Sequence, residues 1–452
     1  IMDSTAVVRS HWSSRWAFVL VTAGSAIGLG NIWKFPYMTG TNGGSAFVLV
    51  YLLCIAFIGV PLLMAETMLG RRGQANPVGS MRRVVAEAGA HPGWIAIGFI
   101  GILGALMILS FYSVVAGWIL DYAVRSFSGF AGLTKEDAGA AFAALLADPL
   151  RLVGWHTVFM ILTALVVASG VTSGIERANK IMMPALFAII VALIVYGIVA
   201  ADMAAAVRFM FHFDFGAVRR EVVLSAMGHA FFTLSLGMGA IMAYGSYLDR
   251  GTSIMRTAFY VALADTGIAL MAGLAIFAIV FAQGLEPASG PGLILQTLPL
   301  AFAQMPGGAV VGPLFFILVI FAAWTSSISL MEPFAAFLIE RFGLSRRAAV
   351  GGMGLVAWLL GIAVALSFNE WSGFKILGLG VFDLLDTLTT KIMMPLAGLL
   401  IALFVGWVMR RHHVAEEMGL SGAQLGIWLN VLRFGSPLAI GLIFLHVVGV
   451  IG

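Results

Sequence analysis

Eleven stretches of this chain stay apolar for about 20 residues or more, the length a helix needs to cross the hydrocarbon of a bilayer. They lie near 15–38, 43–70, 92–125, 153–171, 178–201, 222–248, 256–284, 308–340, 348–368, 375–409 and 428–450. A backbone inside hydrocarbon has no water to bond, so each run must satisfy its own amides and carbonyls, as a helix does. Composition agrees: 10% of residues are charged, against about 25% in soluble domains, and mean hydropathy is +1.03. The expected class is an all-α polytopic membrane protein with eleven transmembrane helices.

The formal charge of +4 matters less than its placement. With the N-terminus inside, fifteen Lys and Arg residues fall in cytoplasmic segments, including Arg71, Arg72, Arg82 and Arg83, and seven fall outside. That satisfies the positive-inside rule and puts the end of the last run outside. Cys54 stands alone, so no intramolecular disulfide forms. Ile1 to Ser14 is short and polar, with no cleavable signal pattern. Residues 126–152 allow a short Ala-rich helix, 202–221 an interfacial segment, and 285–307, with its prolines, a long outer loop. No nucleic-acid signature appears.

Two runs carry features that a plain spanning helix avoids. In AGSAIGLGNIWKFP, Ala23 to Pro36, three glycines precede Asn31, Lys34 and Pro36. Glycine weakens a helix interior by roughly 1 kcal/mol relative to alanine, and proline removes a donor. In FFTLSLGMGAIMAY, Phe231 to Tyr244, Gly237 and Gly239 follow Thr233 and Ser235. Glycines also let helices pack closely. Two breaks at corresponding positions of two halves, with polar groups beside each, point instead to a secondary transporter whose freed backbone binds something.

Two more runs bring oxygen atoms to the same depth. AAWTSSISLMEP holds Thr325, Ser326 and Ser329; hydroxyls there also bond back to the preceding turn. ALADTGIALMAG buries Asp265 with no basic neighbour, and an intramembrane carboxylate is a functional candidate by default. Carboxylate, hydroxyl, amide and carbonyl oxygens suit a hard cation, whereas His and Cys ligands for a transition metal are absent from these runs.

These motifs, with NGGSAF at the second run, resemble the neurotransmitter:sodium symporter family, most closely its bacterial leucine and hydrophobic amino-acid transporters. The resemblance runs from Arg9 to the eleventh run. It implies one transporter domain over residues 1–452, with helices 1 and 6 broken. Its inverted five-helix repeats would cover about 15–201 and 222–409, and an extra helix about 428–450. It implies a first sodium site of Ala26, Asn31, Thr233 and Asp265, completed by the substrate carboxylate. A second would comprise Gly24, Ile27, Ala322, Thr325 and Ser326. The substrate carboxylate would meet Leu29, Gly30 and Tyr112, and its amine Ala26, Phe232 and Thr233 with Ser235 close by. Ile108, Phe232, Met238, Ser326 and Leu330 would line the side-chain pocket. Monoamine-carrying relatives have an aspartate where this chain has Gly28, so an α-amino acid is favoured.

The resemblance also implies gates. Tyr112 and Phe232 would close over the substrate, beneath a pair between Lys34 and Asp383, with Asp386, one turn away, able to take that role because the spacing is ambiguous. On the inner side, Arg9 and Trp12 would close against Glu340 and Tyr247. Glu66 would bond amides freed by the breaks, and His229 replaces a usual glutamine. In GIERANKIMMP, Gly174 and Pro184 bracket nine residues, a pattern associated with local unwinding that opens a water path to the second sodium. Asp265 replaces a neutral asparagine of chloride-dependent relatives, and Ala269 a chloride-binding serine, so no chloride is expected.

The expected function is sodium-coupled import of several hydrophobic L-amino acids by alternating access, with two sodium ions and no enzymatic activity. The expected setting is a bacterial inner (plasma) membrane, with no protein partner beyond the bilayer. A channel of the same membrane class would not accumulate substrate, and a non-transporting amino-acid sensor would bind without flux. An intramembrane enzyme would need a nucleophile–base or metal constellation, and the chain has none.

Overall fold

The structure, a computed structural model, describes residues 11–287 and 290–447. Its first long apolar run does not form one helix. α1 (Arg15–Ala26) and α2 (Gly30–Thr41) meet at an angle of 50° across the glycine-rich break. α3 (Ser45–Gly73) recrosses, and α4 (Pro77–Ala88) begins where Asn76 caps the Gly79 amide at 3.1 Å. α5 (Pro92–Phe127) is followed by α6 (Lys135–Ala147), the Ala-rich helix of the first long connection. A capping box between Thr134 and Asp137 starts α6. α7 (Pro149–Ala168) and α8 (Val171–Ala200) cross next, and α9 (Met203–Phe211) occupies the second connection.

The sixth apolar run is also divided. α10 (Arg220–Thr233) and α11 (Ala240–Gly245) are each too short to span, and a turn separates them. α12 (Ile254–Ala282), α13 (Thr297–Gln304), α14 (Gly308–Phe342) and α15 (Arg346–Leu366) follow, then α16 (Val381–Val408), α17 (Arg411–Met418) and α18 (Gly422–His446). α16 starts later than its apolar run, because residues 376–379 form a tight turn closed by an Ile376–Leu379 bridge. Among the described residues, nine helices are long and apolar enough to cross a membrane, or ten if the bent α1–α2 pair is one span.

Burial separates an inner group from an outer one. In the apolar windows of α3, α5, α12 and α14, 61% of residues are buried, against 33% in α7 and α8. α14 packs along α5, and α1 packs on both α12 and α14. The two breaks therefore sit where long helices surround them, the one place where unwound backbone is tolerated at membrane depth.

Candidate functional site

At the first break, Ile27 leaves the helix with extended geometry (φ −74°, ψ 101°), which frees the carbonyls before it. Neighbouring hydroxyls collect them: Ser235 donates to the Ser25 carbonyl at 2.9 Å and Ser326 to the same oxygen at 3.2 Å. Thr325 and Ser326 both reach the Ile27 carbonyl at 3.4 Å. The freed amides are met in turn, Gly28 by the Asn31 side-chain oxygen at 2.9 Å and Leu29 by the Tyr112 hydroxyl at 3.3 Å. Gly28 is required by space. A Cβ there would run into the Ser326 hydroxyl and lie 3.0 Å from the Tyr112 oxygen.

The second break uses left-handed backbone at Ser235 (φ 54°), Gly237 (75°) and Gly239 (71°). Only Ser235 pays the steric cost of a side chain in that region, which its contact with Ser25 offsets. The buried carboxylate of Glu66 accepts the Gly237 amide at 3.0 Å, so α3 steadies the turn between α10 and α11.

Between the breaks lies an oxygen cluster around Asp265 of α12. Asn31 donates to its carboxylate at 2.7 Å and its carbonyl at 3.0 Å, and Thr233 donates to the carboxylate at 3.0 Å. Tyr51 reaches the other carboxylate oxygen at 3.4 Å, and all four residues are fully buried. The donor set is one carboxylate with neutral oxygens, and no group of three His, Cys, Asp or Glu side chains converges among the described residues. It fits a hard monovalent cation better than a transition metal.

A second, uncharged cluster forms where α14 meets the first break. Thr325 bonds back to the Phe321 and Ala322 carbonyls at 3.0 and 3.1 Å while also reaching Ile27. Gly24 packs so tightly on Asn179 of α8 that a Cβ would collide with its side-chain oxygen, which has no hydrogen-bond partner of its own. Sequence reasoning passed over Asn179, although it lies inside the Gly174–Pro184 segment. In the structure that segment is helical throughout, opening with a π-helical turn at Val171–Glu176.

A cavity of about 20 Å³ lies beside both clusters. It is lined by all eleven residues expected around the substrate: Ala26, Leu29, Gly30, Ile108, Tyr112, Phe232, Thr233, Ser235, Met238, Ser326 and Leu330. Ser25, Gly28 and Ser329 line it too. A larger cavity of about 380 Å³ shares its Leu29, Tyr112 and Phe232 walls, so these side chains divide the two. That vestibule contains Lys34 and Asp386, with Lys34 standing 4.2 Å over the Phe232 ring. Of the two candidate partners for Lys34, the structure places Asp386 in the vestibule lining and leaves Asp383 out of it.

The opposite end of the bundle is sealed. The Trp12 indole donates to the Tyr244 carbonyl at 3.0 Å, and its ring meets Tyr244 and Tyr247 edge-on. The Tyr247 hydroxyl donates to Glu332 at 2.8 Å, and Arg346 closes a salt bridge on the same carboxylate. Of the expected inner gate, Trp12 meets Tyr247 here, and Glu340 lies further along the same helix as Glu332. Glu340 accepts from the Asn76 amide at 2.9 Å and its side chain at 2.8 Å, eight residues along α14 and so roughly 12 Å from Glu332. Arg9 lies outside the described residues. His229 is buried among the rings of Phe35, Phe47 and Tyr51, and neither ring nitrogen has a hydrogen-bond partner.

Residues 9–135 and 148–451 match the sodium:neurotransmitter symporter family. The chain belongs to that family. An uncharacterized sodium-dependent transporter of Bacillus subtilis is 38% identical over 447 residues, covering 98% of each chain. One from Haemophilus influenzae is 31% identical over 446 residues, covering 97% of this chain and 98% of its own. The crystal structure of MhsT in complex with L-phenylalanine superposes with a TM-score of 0.88 at 41% identity, covering 97% of this chain and all of that one. The symporter family comprises sodium-coupled transporters rather than enzymes. This member is therefore a multi-pass membrane protein and a sodium-dependent transporter.

Proposed function

We propose that the protein imports hydrophobic L-amino acids with sodium by alternating access, without chloride. The observation that carries this reading is the adjacency of an apolar-walled cavity to the Asp265 oxygen cluster, with unwound backbone between them. Support comes from the L-phenylalanine held by MhsT, whose fold this chain shares.

In this reading the Leu29 and Gly30 amides and the Tyr112 hydroxyl take the substrate carboxylate. Carbonyls of Ala26, Phe232 and Thr233 take its amine, with Ser235 nearby. One sodium is held by the Ala26 carbonyl, Asn31, Thr233 and Asp265, and its last ligand is the substrate carboxylate. Each therefore binds better in the presence of the other, which is the coupling a symporter needs. A second sodium takes the Gly24, Ile27 and Ala322 carbonyls with Thr325 and Ser326, bridging the first break to α14. Ile108, Met238 and Leu330 receive the side chain, and burying one of leucine size contributes about 1.5–3 kcal/mol. Asp265 supplies the negative charge that chloride would otherwise bring, and Ala269, one turn on, offers no hydroxyl to an anion.

The fold proposed to go with this activity has eleven spans in one domain, with α10, the turn and α11 as the sixth. Helices 1–5 and 6–10 form inverted repeats over about 15–201 and 222–409, with an added helix at about 428–450. The N-terminus is cytoplasmic, in a bacterial plasma membrane, and the Lys34 vestibule faces outward. Uptake of labelled L-phenylalanine into proteoliposomes under an inward sodium gradient tests the proposal. Leucine, phenylalanine and tryptophan should compete, and glycine and glutamate should not. Flux without uphill accumulation would indicate a channel, and binding without flux a sensor. Preference for glycine or glutamate would refute the pocket assignment.

A further inference from the structure

A separate cavity of about 410 Å³ lies on the far side of α6 from the vestibule. Phe142 and Leu146 of α6 face the vestibule, whereas Asp137, Ala138 and Ala141 of the same helix line the second cavity. Its other walls come from the end of α5, the 128–133 loop, and Leu295 and Pro299 near α13. The volume falls in the range of small-molecule sites, about 300–1,000 Å³.

Its polar groups are few. The Tyr122 hydroxyl belongs to a residue only 2% exposed that lines the cavity, and it has no hydrogen-bond partner. A buried donor left unpaired is costly, so an acceptor entering the cavity would gain that bond. Beside it, the Arg125 guanidinium stands 5.3 Å over the Tyr122 ring and lines the same space. The partner of Arg125, Asp121, 2.7 Å away, is shared with Arg151 at 2.6 Å and also accepts the Trp155 indole at 2.9 Å. Two guanidinium groups thus lean on one buried carboxylate, so Arg125 does not have Asp121 to itself. The cavity also carries one carboxylate, Asp137, which accepts the Thr134 hydroxyl at 2.7 Å and amide at 3.3 Å on the α6 side, away from Tyr122 in the sequence. Phe130, Leu133 and Leu295 make the remaining wall apolar.

We infer that this cavity binds a small amphipathic carboxylate, its anionic end on Arg125 and the Tyr122 hydroxyl and its apolar end against Phe130 and Leu295. The site is distinct from the central cavity and the vestibule and shares no residue with either.

The test uses radiolabelled 4-phenylbutyrate on the purified full chain in lipid nanodiscs, with unlabelled 4-phenylbutanamide as competitor. Saturable binding is expected, with the neutral amide competing about tenfold more weakly or worse. Tyr122→Phe should weaken binding by about three- to tenfold, because it removes one hydroxyl donor and no charge. Ala141→Trp should abolish it by filling the cavity, and a melting temperature near wild type shows that each variant is folded. Absence of saturable binding to the wild type would overturn the proposal, and so would equal competition by the amide. Binding unchanged in both variants would place the ligand in another cavity and overturn it equally.

Discussion

The two ends of the bundle close in different ways. At one end Lys34 rests over Phe232 at the edge of a 380 Å³ vestibule, and no ion pair to Lys34 forms among the described residues. At the other, Tyr247, Glu332 and Arg346 form a linked network in which Glu332 is fully buried, and Trp12 packs against it through Tyr244 and Tyr247. The first end is held by an aromatic side chain beneath a lysine, the second by a buried charge pair that is costly to separate. In an alternating-access cycle this difference assigns the energetic work. On that reading, opening toward the vestibule parts the Lys34–Phe232 contact, whereas opening the other way breaks the Glu332 network.

Neutralising the sealed end should have the largest effect. Glu332→Gln leaves Arg346 without its charge partner, at a cost on the order of 2–3 kcal/mol. That is below the ~3–5 for a fully buried pair, because Arg346 keeps about a fifth of its surface exposed. The expected outcome is a melting temperature several degrees lower and uptake reduced by about tenfold or more. An unchanged melting temperature would erase the contrast between the ends.

Pro184→Ala acts at the same end with less force. If Gly174 to Pro184 unwinds during sodium release, restoring the missing helical hydrogen bond should slow transport several-fold, on the order of 1 kcal/mol of barrier. Equilibrium sodium-dependent binding should stay intact. Transport at the wild-type rate would remove this segment from the release path.

The vestibule end should respond weakly and selectively. Asp386→Asn is expected to lower apparent substrate affinity by a few-fold, about the worth of one solvated charge pair. Asp383→Asn should do less, since its carboxylate does not line the vestibule. The opposite ranking would return the role to Asp383.

A surface pair near the sealed end gives the smallest effect. Arg72 donates to Glu87 at 2.7 Å, and this bond holds the Glu87 carboxyl below its ordinary pKa. A lowered folded-state pKa means the contribution is present above the ordinary carboxylate range and lost as pH falls through the folded value. With Glu87 39% exposed, the amount is about 0.2–1 kcal/mol. Glu87→Gln should therefore reduce the acid-side fall in melting temperature slightly and leave uptake at neutral pH unchanged.

Much of the site was legible because its signals are costly exceptions. Glycines beside Asn31, and Asp265 within an apolar run, stand out where an ordinary spanning helix would carry neither. What the sequence left open depends on register between helices. Asp383 and Asp386 lie one turn apart, and only the packing of α16 decides which enters the vestibule. Glu332 went unremarked in the sequence, because only the packing of the next helix brings Arg346 onto it. Asn179 is an ordinary amide until Gly24 packs against it. The Tyr122 cavity is closed by Leu295 and Pro299 from far along the chain, and no local pattern announces it.

The central claim is that Asp265 supplies both a sodium ligand and the charge that makes chloride unnecessary. The direct measurement is sodium titration of labelled L-phenylalanine binding in chloride-free gluconate buffer, for the wild type and Asp265→Asn. The wild type should bind saturably as sodium rises, with no change when chloride is added. Asp265→Asn should lose that sodium dependence or need far more sodium. A wild type that binds only with chloride present, or a variant that titrates like the wild type, would contradict the account.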